Sequence, residues 1–364
     1  MKIFVPIYFN APLGGLQNNV FATLLALKRE SHQAVVMCKD GPFAEMVRST
    51  GFDTLITDFS SIDKDVSIAI NHSKYDLVHA HPFKSREVGL LVSQYQKVPF
   101  LLTIHSMYFD QLSSYNNFVT QVITVGDGIR DYLIKNKQIP PEKVCVIPNG
   151  VDLNIFSPRK IFKPANPDER KTITVISRYD ADKEFIVNVI MEAFTQLGNF
   201  NAHWQIVGSG SLINKLEESV YTLKQNNAKS TFSFLGWKTQ EELAMLINYS
   251  DVVVASGRGV LESIVCEIPT IAIGSKGYIG IMFGENLLIG KYTNFGGYGD
   301  GEKSYKIGSL SKDIQTILSN PINRTYCIAT ARSFVEEYFS QNNIDKKLLS
   351  LYSLLASKNN CSSI

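Results

Sequence analysis

Twice along the chain, short apolar runs of strand length alternate with longer stretches patterned as helices, and that alternation constrains the fold more than any single motif. It is the grammar of parallel sheets joined by crossover helices. In the first half, runs at 3–8, 34–38, 77–79, 100–104, 122–125 and 144–147 predict strands, with helices predicted at 16–28, 43–49, 85–95 and 129–136. The pattern then stops. Ser157-Pro158-Arg159-Lys160 and Lys163-Pro164-Ala165-Asn166-Pro167 form a proline-rich, helix-poor stretch that reads as a linker. Beyond it the alternation restarts, with strands predicted at 172–176, 204–207, 231–234, 251–255 and 270–273 and helices at 184–197, 212–224, 240–248 and 260–266. Two last helical patterns, 331–339 and 344–356, precede a polar tail. A chain of 364 residues exceeds one average domain, so two α/β domains are expected, at 1–160 and 168–340, followed by a closing helix and tail at 341–364.

Composition narrows the function classes. A hydrophobic fraction of 45% with 19% charged residues suits a folded globular protein with ample core. The net charge of +2 offers no concentrated basic face, so no nucleic-acid partner is expected. Cys38, Cys145, Cys266, Cys327 and Cys361 are scattered without a CxxC pair, which predicts reduced thiols and no zinc site. The chain opens directly on a predicted strand, with no charged leader and apolar core, so secretion is not expected. No run approaches the ~18–20 apolar residues of a membrane span, and any membrane contact would be peripheral. The expected location is the cytoplasm, or the inner face of the membrane. The oligomeric state is left open.

Open parallel sheets bind ligands beyond the carboxyl ends of their strands, so the loops there are the candidates for chemistry. After the predicted strand 172–176 comes Ser177-Arg178-Tyr179-Asp180-Ala181-Asp182-Lys183. Arg178 and Lys183, a fixed guanidinium fork and a mobile ammonium, read as a clamp for a diphosphate. After 251–255, Ser256-Gly257-Arg258-Gly259-Val260-Leu261-Glu262 reads as a helix opening on glycines. The amides of Val260 and Leu261 would suit an anion, and Glu262 would accept from a ribose hydroxyl. Gly208-Ser209-Gly210 is a strand-to-helix turn without the third glycine of GxGxxG, and fits a nucleotide pocket better than NAD. His79 and His81 would face the same side of a strand, yet no third ligand lies within reach, so no metal is expected. Asp180-Ala181-Asp182 is formally a DxD and reads as a helix N-cap.

The two segments, in this order and spacing, resemble the nucleotide-sugar half of GT-B glycosyltransferases, specifically glycosyltransferase family 4. The resemblance extends over nearly the whole chain, through Pro12-Leu13-Gly14-Gly15-Leu16, Asp76-Leu77-Val78-His79-Ala80-His81, Thr103-Ile104-His105-Ser106, Ile147-Pro148-Asn149-Gly150-Val151-Asp152, Val207-Gly208-Ser209-Gly210 and Phe234-Leu235-Gly236-Trp237. It implies two Rossmann-like parallel-sheet domains facing a cleft, the first binding acceptor and the second binding nucleotide sugar, with a C-terminal helix crossing back to the first. The implied reaction is retaining transfer of a sugar from a UDP- or GDP-linked donor to a glycan or lipid-linked acceptor, without cofactor or metal. No enzymic nucleophile is apparent, and the leaving diphosphate itself would help deprotonate the acceptor hydroxyl. Arg178, Lys183 and His105 would be catalytic. Gly14, Gly15, Gly208, Gly210, Gly236, Trp237, Arg258, Val260, Leu261 and Glu262 would hold the donor, Trp237 by stacking on the base unless it is core. Gln17, His81 and Asn149 are candidates for the acceptor. Bacterial surface polysaccharide assembly is the commonest setting of such chains.

Departures from the family pattern are as informative. Members often carry two glutamates eight positions apart, and here Glu262 matches the second while Val254 stands at the first. Arg258 is the candidate substitute, directed at the diphosphate or at an anionic sugar. Glu267 stands where the family usually has glycine, and the run 294–299 reads as a lid or a plain surface loop. A non-catalytic binding subunit and a nucleotide-sugar epimerase remain as alternatives.

Overall fold

The computed structural model describes residues 1–9, 15–106, 111–160, 170–275, 277–296, 305–319 and 321–361, with 321–327 and 358–361 by backbone alone. It divides into two compact units, Met1–Gly150 with Gln341–Ile364, and Val151–Ser340.

The first unit is a sheet of seven parallel strands, β1 Lys2–Ile7, β2 Gln33–Cys38, β3 Asp53–Ile56, β4 Leu77–Ala80, β5 Phe100–Ile104, β6 Gln121–Thr124 and β7 Val144–Val146. Their order is β3-β2-β1-β4-β5-β6-β7, so the chain reverses direction across the sheet between β1 and β4. The loops leaving those two strands therefore lie side by side, at the edge where such sheets take ligands. The central strands read as unbroken apolar runs because helices cover both faces, burying Phe4, Val78 and Leu102 on one side and Ile3, Leu77 and Leu101 on the other.

The chain returns to this unit at its end. Helix Gln341–Cys361 buries Ile344, Leu348, Tyr352 and Leu355 in the cluster that holds Val20, Leu24 and Leu27 of helix Gly15–Arg29. Burial of each such side chain contributes about 1.5–3 kcal/mol. Asp345 accepts from Arg29 and, at 2.7 Å, from Gln341. Gly150 permits the close start of the helix, since a Cβ there would lie 2.9 Å from the Gln341 Cα.

The second unit has six strands, β8 Lys171–Ile176, β9 Ala202–Val207, β10 Thr231–Gly236, β11 Val252–Ala255, β12 Thr270–Ile273 and β13 Tyr278–Ile281, in the order β10-β9-β8-β11-β12-β13. All pairs are parallel except β12 with β13. The switch in direction falls between β8 and β11, whose last paired residues are Ile176 and Ala255. Their outgoing loops begin at the same level, with Ser177 and Ser256.

Several elements lie outside the expected set. β3 is an edge strand with Asp53 exposed, and helix Ile62–His72, capped by Ser61, follows it. β13 contains Gly280 at φ +96°, and helices Glu285–Tyr292 and Ser309–Ser319 follow. The division at Gly150/Val151 corrects the expected boundary at 160, because Val151 and Phe156 are buried in the second unit's core. Of the linker, residues 161–167 lie outside the described residues. Among the described residues no helix is long and apolar enough to cross a membrane. Cys38, Cys145 and Cys266 are free thiols, and burial pushes those of Cys38 and Cys266 up to about 12.

Candidate functional site

In the second unit the loops after β8 and β9 are built on each other. Ser177 and Tyr179 donate backbone hydrogen bonds to Val207 and Ser209 (3.2 and 3.0 Å), and Leu212 donates to Tyr179 at 2.7 Å. Contact this close needs glycine opposite. A Cβ at Gly208 would lie 1.8 Å from the Ser177 carbonyl oxygen, and one at Gly210 would lie 2.3 Å from the Tyr179 carbonyl carbon. Both glycines also take positive φ, +120° and +154°. Their spacing thus shapes the loop that carries Arg178 and Lys183.

The two cations of that loop differ in environment. The Lys183 side chain is only 12% exposed, and its Nζ donates to Ser275 Oγ at 2.5 Å and pairs with Asp182 Oδ2 at 3.1 Å. Arg178 is half exposed, pairing with Asp180 at 2.5 Å and Asp182 at 3.3 Å. The expected N-cap role of the Asp180–Asp182 stretch is corrected here. Asp180 makes no side-chain cap bond, and both carboxylates instead serve as resident counter-ions.

After β11, helix Arg258–Val265 starts from Gly257 at φ 57°, ψ −126°, a conformation suited to glycine. Val260 and Leu261 are buried, and the Val260 amide already donates to the Gly257 carbonyl at 3.2 Å. The amides left without intrahelical partners belong by position to Arg258 and Gly259. Glu262 is also buried, and Arg258 Nε donates to its Oε1 at 3.3 Å. Burial raises the Glu262 carboxyl, while Arg258 beside it pulls it back down. Arg258 Nη1 is buried with no hydrogen-bond partner among the described residues. A donor-only group left so is costly unless a ligand oxygen completes it.

Glu267, in the family's glycine position, adopts φ +59°, the left-handed conformation that glycine takes freely. Its carboxylate pairs with Arg332 at 2.9 Å, which holds the helix exit in place. At the end of β10, Gly236 takes φ +64° and Trp237 is 40% exposed, so this tryptophan is free of the core and open to stacking. In the run 294–299, Phe295 is fully buried and accepts the Gly257 amide at 2.7 Å, and 297–299 lie outside the described residues.

In the first unit, Gly14 lies outside the described residues, and Gly15 is the exposed first residue of helix Gly15–Arg29. Gln17 is buried, with Nε2 donating to the Phe9 carbonyl at 3.4 Å. Asn149 accepts from Asn19 at 3.1 Å. Three histidines converge at the ends of β4 and β5. His79 bonds Tyr352 of the returning helix at 2.5 Å through Nδ1 and Thr103 at 2.7 Å through Nε2. His81 Nδ1 and His105 Nε2 are 2.9 Å apart. Burial keeps all three neutral, lowering His79 to about 3 and His105 to about 4, and His81 well below its ordinary range. The pairing of His81 with His105 was missed in the sequence, although each follows the end of a neighbouring strand. Among the described residues no group of three or more His, Cys, Asp or Glu is placed to hold a metal ion.

Residues 13–155 match the family model described as Glycosyltransferase Family 4, and residues 156–334 match Glycosyl transferases group 1. An uncharacterised glycosyltransferase of Methanocaldococcus jannaschii is 26% identical over 77% of this chain and 76% of its own length. The UDP-Gal:alpha-D-GlcNAc-diphosphoundecaprenol alpha-1,3-galactosyltransferase of Escherichia coli is 25% identical over 66% of this chain and 70% of its own. Among solved structures, Anabaena HepE in complex with UDP-glucose superposes with a TM-score of 0.75 at 19% identity, covering 98% of this chain and 100% of that one.

Proposed function

We infer the reaction from the premise that the family matches supply: the chain belongs to the group 1 glycosyltransferases with a family 4 first half, an enzyme of GT-B fold. We propose that the second unit binds a uridine or guanosine diphosphate sugar, and that the sugar passes with retention to a glycan or lipid-linked acceptor held by the first unit. The observation that carries this reading is the switch point between β8 and β11. Their adjacent loops present Lys183 and Arg178 from one side, and from the other Arg258, whose buried Nη1 lacks a hydrogen-bond partner among the described residues.

Charge develops on the diphosphate as its bond to the anomeric carbon breaks, and fixed cations act on that charge. Lys183 is positioned for this before substrate arrives, by Ser275. Arg178 and Lys183 exchange Asp182 for phosphate oxygens, so no metal is needed for neutralisation. Trp237 stacks on the base, and Arg258 donates Nη1 to a donor oxygen where relatives often use a glutamate. The diphosphate takes the proton of the attacking hydroxyl as the new glycosidic bond forms. A relative that acts on a diphosphoundecaprenol-linked sugar supports a lipid-linked acceptor, and with it work at the inner membrane face in surface polysaccharide assembly.

The test is incubation of the purified protein with a panel of nucleotide sugars, with and without a diphosphoundecaprenol-linked acceptor. Nucleotide release and a lengthened acceptor are expected only when both substrates are present. Conversion of donor alone would replace transfer by epimerisation, and binding without release would make the chain a non-catalytic subunit.

A further inference from the structure

The hydrogen bond between His81 and His105 decides which face of His105 meets substrate. With His105 Nε2 committed at 2.9 Å to His81 Nδ1, only Nδ1 of His105 remains, and it makes no hydrogen bond among the described residues. A neutral imidazole carries one proton, so one ring donates across the contact and the other accepts. If His81 donates, both rings must hold their proton on Nδ1. If His105 donates, both hold it on Nε2, the form a free neutral histidine side chain prefers. The second arrangement asks nothing unfavourable of either ring.

We propose that His81 is a positioning residue that holds His105 as its Nε2–H tautomer, so that His105 offers a lone pair at Nδ1 to a sugar hydroxyl. In this form His105 accepts a hydrogen bond and cannot donate one to a phosphate or carboxylate oxygen. The group it recognises is a hydroxyl that donates. The surroundings support a fixed ring. His79 lies against His81 with centroids 4.9 Å apart and the rings tilted by 35°, and His79 is itself held between Thr103 and Tyr352. Burial also keeps His105 uncharged at neutral pH, which preserves the lone pair.

The kinetic part of this inference rests on the sugar-transfer reading above, whereas the tautomer does not, and the experiment separates them. Protein labelled with 15N in histidine is measured by long-range 15N–1H correlation, with His105 assigned from the signals lost in His105→Asn. An Nε2–H pattern is expected for His105, and in His81→Ala it should shift toward a mixture of tautomers. In transfer assays His81→Ala, which frees the His105 ring to turn as well as to change tautomer, should lower kcat about tenfold, the scale of one misdirected hydrogen bond, with the donor KM changed far less. His81→Asn places an amide oxygen near the lost Nδ1 and should restore most of kcat, whereas His81→Gln, which reaches toward the Nε2 position, should not. If His81→Ala fails to fold, the Asn and Gln variants carry the comparison. An Nδ1–H signal at His105, or a His105 spectrum and kcat unmoved by His81→Ala, overturns the assignment. Wild-type protein with the expected tautomer but no transfer from any donor would instead sink the sugar-transfer reading alone.

Discussion

Replacing Gly208 by Ala tests whether the cation-bearing loop owes its place to a contact between backbones. The added Cβ would sit 1.8 Å from the Ser177 carbonyl oxygen and 3.0 Å from its carbon, on a residue at φ +120°. The nearest neighbour is main chain, so no rotamer change relieves the overlap. Left-handed backbone strain of about 1–3 kcal/mol adds to about 1–3 kcal/mol of overpacking, giving about 2–6 kcal/mol in all. For a unit of this size each kcal/mol lowers the melting temperature by about 2–4 °C, so a loss of roughly 4–24 °C is expected by scanning calorimetry. Gly236→Ala is the control. It shares a positive φ, +64°, but nothing lies within 4 Å of its Cβ, so only about 1–2 kcal/mol of conformational cost applies. Gly208→Ala should also forfeit most of the thermal protection given by a nucleoside diphosphate, because the displaced segment begins next to Arg178. A Gly208→Ala protein that melts like wild type, or like Gly236→Ala, would mean that the backbone contact at Ser177 does not hold the loop in place.

Three other perturbations follow from the same geometry. Asp182 engages both Arg178 and Lys183, so Asp182→Asn should tighten nucleoside diphosphate binding by about twofold to fivefold in a calorimetric titration, the scale of an exposed ion pair. His79 and His105 are neutral in the folded chain with values of about 3 and 4, and regain the ordinary value of 6.5 on unfolding. The unfolded state therefore binds more protons at mildly acid pH, and stability is lost as pH falls below about 6.5, at up to about 1.4 kcal/mol per pH unit for each ring. Denaturant unfolding at pH 6.5 and 4.5 should show the loss, and His79→Asn should remove one ring's share of the slope. Arg258→Met strands the buried Glu262 carboxylate at a cost of about 3–5 kcal/mol, and Arg258→Met with Glu262→Met should recover much of it, as read from urea midpoints.

The strands buried on both faces were legible in the sequence because burial writes itself as an apolar run, as in β1, β2, β8 and β11. β3 escaped because an edge strand carrying Asp53 and Thr54 has no such run, and β13 because Gly280 breaks its pattern. Val151 and Phe156 look like the tail of the first half, and only packing assigns them to the second core. Within the site, the residue types were visible but their partners were not. Gly208 and Gly210 read as nucleotide contacts, while the structure shows them fitting against Ser177 and Tyr179, some 30 residues away, a proximity no local pattern encodes. The link between Arg258 and Glu262 was within reach, since four positions on a helix bring two side chains together. That of His81 with His105 needed the order of β4 and β5, which puts two strand ends at one level.

Titration of uridine and guanosine diphosphates and their sugars into wild-type protein and Lys183→Ala, followed by calorimetry, probes the proposed pyrophosphate site in the loops of the second unit. Saturable binding of one nucleotide class to wild type is expected, with an affinity weakened about tenfold to a hundredfold in the variant, as loss of a charge-assisted hydrogen bond requires. Equal affinity in the two proteins, or no binding of any nucleoside diphosphate to wild type, would contradict a pyrophosphate site there.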